Sequence, residues 1–97
     1  MGLFVVRHQH PAERCPAQDP QVGEMLLDHL SEANAQRHGI KIHGEAVIDG
    51  QHTLYLILES EDRSKVEAFM QPFTMAGTVE VWPASPCAEV VRRRGCG

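Results

Sequence analysis

Asp49-Gly50 stands between two stretches that alternate in polarity, and no other feature constrains the fold as much. Asp-Gly is a strong hairpin signal because a tight two-residue turn needs left-handed backbone that few residues accept. Before it, Ile40, Ile42, Gly44, Ala46 and Ile48 alternate with Lys41, His43, Glu45 and Val47. After it, His52 to Glu59 forms the other arm. A two-residue turn sets Ile48 opposite Gln51 and Val47 opposite His52. His43, Glu45, Val47, His52, Leu54 and Leu56 then share one face, which points away from any covering helix. Ile42, Ala46, Ile48, Tyr55 and Ile57 share the other.

A helix and a strand flank this hairpin on each side. Leu3 to His8 is a strand with apolar residues on both faces, as a central strand requires. His10 to Pro20 holds prolines at 11, 16 and 20 and reads as a loop. Asp19-Pro20 opens a helix, with Asp as its cap and Pro in its first turn. Val22, Met25, Leu26, His29, Leu30 and Ala33 form its apolar stripe, and His38-Gly39 closes it. Ser60 caps a second helix with the stripe Val66, Phe69, Met70 and Phe73. Pro72 predicts a break near Met70 to Phe73, and Gly77 ends the element. Thr78 to Trp82 is a fourth strand, and Cys87 to Arg92 reads as a short fifth.

This order predicts an α+β fold of βαββαβ plan, with a four-stranded antiparallel sheet and two helices on one face. The 97 residues suffice for one domain, residues 1–97, with a thin core. The opposite face, expected to carry Phe4, Val6, Leu54 and Leu56, is left bare, and a patch of that kind calls for a partner. A homodimer or higher homo-oligomer is the expected assembly.

The element order, the length and the two-sided first strand resemble the ferredoxin-like, dimeric α/β-barrel superfamily. Arg7-His8-Gln9-His10-Pro11 and Gly44-Glu45-Ala46-Val47 resemble phrases in its small uncharacterised bacterial members. The resemblance implies two sheets packed face to face around a pocket. That superfamily hosts haem enzymes, cofactor-free monooxygenases, metal binders and plain ligand binders, so fold alone does not select among them.

Charge and composition exclude several classes. A net charge of −4 argues against nucleic acid as a partner, and the single basic run, Arg92-Arg93-Arg94, reads as a solvated tail. No apolar stretch spans a bilayer and no signal peptide is evident, so the cytoplasm is the expected compartment. Cys15, Cys87 and Cys96 include no Cys-x-x-Cys pair, which disfavours redox motifs and zinc ribbons. Glycine-rich phosphate loops, nucleophile elbows and paired catalytic carboxylates are missing as well.

The six histidines carry the strongest chemical signal. His8 and His10 lie at i and i+2 at the end of the first strand and project to one side. Antiparallel pairing with the third strand brings His52 beside them, and Cys15 lies in the loop crossing that edge. His8, His10, His52 and Cys15 form the expected metal set. Zinc, copper or iron suit imidazole, and a thiolate tilts the choice toward zinc or copper. Solvated histidines at a strand end are the competing reading. His43 and Glu45 are the expected acid–base pair, with an interface ion pair as their plainer alternative. His29 is expected in the core, bonded to a carbonyl. Two further functions stay open: a cofactor-free oxygenase-like or isomerase-like enzyme using His43, Glu45 or His52 as base, and a non-catalytic regulatory module binding a small-molecule ligand.

Overall fold

The computed structural model describes residues 2–97. Its sheet is four-stranded and antiparallel in the order β2-β3-β1-β4, with β1 at Gly2–Gln9, β2 at Lys41–Ile48, β3 at Thr53–Ser60 and β4 at Thr78–Ala84. Three helices connect them, α1 (Pro20–His29), α2 (Glu32–Arg37) and α3 (Arg63–Phe69), and α4 (Cys87–Arg92) follows the last strand. The plan is the expected βαββαβ, consistent with a ferredoxin-like fold.

The first helical segment is divided. Asp19 caps α1 by accepting from the Gln21 and Val22 amides, and Ser31 caps α2 by accepting from Asn34. A residue that satisfies free amides starts a new helix, so Ser31 interrupts the apolar stripe. Gly39, at φ +72°, closes α2 in the left-handed region that favours glycine. Asp62, rather than the expected Ser60, caps α3, while the Ser60 hydroxyl is buried and donates to the Asp62 carbonyl. The expected break falls at Met70, where Gln71–Met75 tightens into a 3-10 turn with Pro72 in its first turn.

Cys87–Arg92 is α4, not a fifth strand. Pro86 occupies its N-cap position without a side-chain bond, and Arg92 hydrogen-bonds Glu89 one turn back. That pairing within one turn supports the segment as a helix.

Phe4, Val6, Leu54, Leu56, Leu58 and Val81 form the sheet wall of the core, against Val66, Phe69, Met70 and Phe73 from α3 and the turn after it. This corrects the expected bare face, since Phe4, Val6, Leu54 and Leu56 lie beneath the helices. The uncovered face instead carries Leu3, Val5, Tyr55, Ile57 and Trp82 around an Arg7–Glu80 ion pair of 2.9 Å. The slip has a simple origin. Successive strand residues face opposite ways, and with both sets apolar in β1, its pattern does not say which set the helices cover.

Candidate metal centre

Backbone pairing brings the polar side chains to one end of the sheet. Gln9 pairs with Thr53 across β1 and β3. One more bond extends the ladder, from the His10 amide to the His52 carbonyl at 3.1 Å. The two rings therefore meet edge to face with centroids 5.3 Å apart. His52 ends a four-residue hairpin loop, Ile48 pairing with Thr53 rather than opposing Gln51. Its φ of +50° is left-handed, a conformation that costs a non-glycine residue roughly 1–2 kcal/mol.

Cys15 reaches the same place from the other side. It closes one short 3-10 turn, Ala12–Arg14, and opens the next, Pro16–Gln18. Its amide bonds the Ala12 carbonyl at 3.3 Å, and its own carbonyl accepts from Gln18 at 3.2 Å. Prolines 11 and 16 restrict φ on both flanks, so the thiol is held by a stiff loop.

The ligand atoms of His10, Cys15 and His52 lie within 4.8 Å of one another, close enough to hold a metal ion. Tetrahedral zinc, with nitrogen at about 2.0–2.1 Å and sulfur at about 2.3 Å, sets its ligands roughly 3.5 Å apart. Closing that gap takes side-chain adjustments of about an ångström.

His8 is not in this trio; it stands behind it. His8 is 1% exposed, its ring packed edge-on against Phe73 with centroids 5.1 Å apart. Nδ1 of His8 is 3.1 Å from the Thr78 carbonyl. A carbonyl only accepts, so that nitrogen donates, and the lone pair of a neutral ring sits on Nε2. Nδ1 of His10, 3.1 Å from that Nε2, must then donate to it. The chain leaves His10 Nε2 as a lone-pair nitrogen, buried and without a hydrogen-bond partner among the described residues. Metal-ligating histidines are oriented in this way by what their other nitrogen touches.

Electrostatics favour the same protonation state. Burial lowers the His8 imidazole below its ordinary range, and the adjoining His10 lowers it further, against an opposing pull from the Thr78 carbonyl. Burial lowers His10 too, and His52 adds to it. Both rings are neutral at neutral pH, the form that ligates metals.

Gly77 positions this end of the sheet, although as a sequence feature it reads only as a helix terminator. A Cβ there would fall 2.0 Å from the Gln9 carbonyl oxygen and 2.8 Å from the His10 Cα. Backbone therefore lies directly on backbone, which sets where His10 starts. The Thr78 carbonyl is the other participant that no side-chain motif could reveal.

His43 and Glu45 do not share a face. A bulge between Ile42 and Gly44 leaves His43 without a pairing partner in β3. His43 turns to Glu59 on the uncovered face, its Nε2 3.0 Å from the carboxylate. Glu45, paired with Leu56, keeps the helix side. The expected arrangement of both beside His52, away from the helices, is thus corrected. One extra residue reverses every side chain on its far side. His29 does bond a carbonyl, Nε2 donating to Phe69 at 2.6 Å while its ring stacks on Phe69.

The cluster closes one end of a cavity of about 610 Å³ between α1 and the β2–β3 hairpin. An antiparallel sheet with α1 to α3 on one face, and a His/Cys trio at one end of its two central strands, define a small α+β protein with a candidate transition-metal centre. The chain belongs to the family described as a domain of unknown function, DUF3303, whose sequence profile matches residues 3–94. All four strands after Gly2, all four helices and the whole trio fall in that span. No curated protein matches the chain. Among the described residues no helix is long and apolar enough to cross a membrane.

Proposed function

We propose that this protein binds a transition metal, zinc before copper or iron, through His10, Cys15 and His52, with His8 orienting His10. The observation that carries the reading is the buried, unpartnered Nε2 of His10, which would otherwise cost free energy as an orphaned polar atom. A thiolate with two imidazoles is a borderline-soft donor set that suits zinc. Three protein ligands leave a fourth position open, as in zinc sites that meet a substrate or ligand rather than purely structural ones. Metal analysis of protein purified without a histidine tag tests the proposal. Close to one metal per chain is expected, falling to background in a His10→Ala/Cys15→Ala variant. Metal content unchanged in that variant would contradict it.

A homodimer is proposed on a separate observation. Ile57 and Trp82 are 46% and 42% exposed on a sheet face that no helix covers. Large exposed apolar residues on one face are usually met by a partner. Such a pairing agrees with the dimeric α/β-barrel superfamily that the sequence resembles. Light scattering should return twice the chain mass, and Trp82→Asp should return the monomer. A wild-type monomer at micromolar concentration would contradict the pairing.

A further inference from the structure

Helix α1 carries an apolar stripe, yet none of its residues is buried. Leu26 and Leu30 pack against the edge of the core, whereas Leu27 is 68% exposed. Facing it across the cavity, Val47 of β2 is 57% exposed. Leu54 and Phe73 floor the gap, and the trio closes one end. A helix facing a sheet normally fills that space with side chains. Here about 610 Å³ is left open, within the range of small-molecule sites.

We propose that this cavity takes a small organic acid, its aliphatic or aromatic body between α1 and the hairpin and its anionic head on the metal held by His10, Cys15 and His52. This rests on the metal-binding reading above and adds the class of ligand to it. Charge selects the head. A divalent ion with one thiolate and two neutral imidazoles keeps a net positive charge, which an anionic donor at the fourth position neutralises. Charge also selects the orientation. Glu24, Glu45 and Asp49 line the rest of the cavity, and among the described residues no Lys or Arg does. An anion is therefore repelled everywhere except at the metal. The walls at Leu27, Val47 and Leu54 then reward an apolar body in proportion to the area they remove from water.

Cobalt(II)-loaded full-length protein, titrated with octanoate and separately with acetate, tests this. The cobalt absorption is recorded before either acid is added. Both acids should perturb it, with octanoate half-saturating at a concentration about thirtyfold or more below acetate, from its buried methylenes. Val47→Asp, or Leu27→Asp should that variant fold poorly, should bring the two acids within about threefold of each other. Either variant should leave the acid-free cobalt spectrum unchanged. Equal half-saturation by the two acids in the wild type would overturn the apolar pocket while leaving the metal site standing. A cobalt spectrum that neither acid changes would overturn the coordinated head. No cobalt spectrum at all would overturn both the metal reading and this one.

Discussion

The two helical halves treat the sheet differently. On the α3 side, Val66, Phe69 and Met70 are fully buried and Phe73 nearly so. On the other side no residue of α1 is buried and only Ala35 of α2 reaches the core, and the packing gap becomes a cavity that ends at the His/Cys trio. One helix serves the core and the other leaves room. Stability is therefore expected from the α3 half, and binding from the α1 half with the adjoining strand ends. Within small domains the least tightly packed elements are commonly those that meet ligands.

The sharpest test of that contrast is a pair of truncations. Phe69→Ala removes a buried ring stacked on His29 and should cost about 3–5 kcal/mol in urea unfolding. Leu27→Ala on α1 should stay within about 0.5 kcal/mol, as exposed positions generally do. Similar costs for the two would show that α1 carries as much of the stability as α3. Gly77→Ala should come next, at about 1–3 kcal/mol, since its methyl would meet the Gln9 and His10 backbone. Because that backbone carries His10, metal affinity should drop together with stability. A variant that loses stability and keeps full affinity would show that Gly77 does not position the site.

Acidification should weaken the same end of the molecule. The ordinary imidazole pKa is 6.5, and His8 and His10 are held below it by burial when folded. Below that value the unfolded chain binds more protons than the folded one, so stability falls with falling pH until the folded-state values are passed. Urea midpoints between about pH 7 and about pH 5 should show this, with a shallower slope in His8→Gln. An identical slope would remove His8 as a source. The smallest effect belongs to His52→Gly. Relief of its left-handed backbone offsets the added freedom of the unfolded chain, leaving stability within about 1 kcal/mol of the wild type. Metal affinity should nevertheless fall, which separates ligand from backbone.

Much of this was legible in the sequence, and the exceptions have physical causes. The Asp49-Gly50 hairpin, the proline break after Met70 and the convergence of His10, His52 and Cys15 follow from turn chemistry and antiparallel pairing. The bulge at His43 was not legible, because alternation continues unbroken through a residue that the partner strand skips. Nor was the side of the sheet that the helices cover, since β1 is apolar on both faces. Strand period alone groups His8 with the ligands. Its place behind His10 depends on the Thr78 carbonyl, and a main-chain acceptor leaves no mark on side-chain patterns. The C-terminal segment turned helical through contacts within one turn, which β-branched valines at 90 and 91 disguise.

Cobalt(II) titration of reduced, untagged protein tests the metal centre most directly. One equivalent should produce both the visible bands of tetrahedral cobalt and the ultraviolet charge-transfer band of a cobalt–thiolate bond. Cys15→Ser should lose the charge-transfer band, while Cys87→Ser/Cys96→Ser should keep it, since both of those thiols are exposed and outside the trio. No saturable spectrum, or a thiolate band that survives Cys15→Ser, would contradict a metal centre at His10, Cys15 and His52.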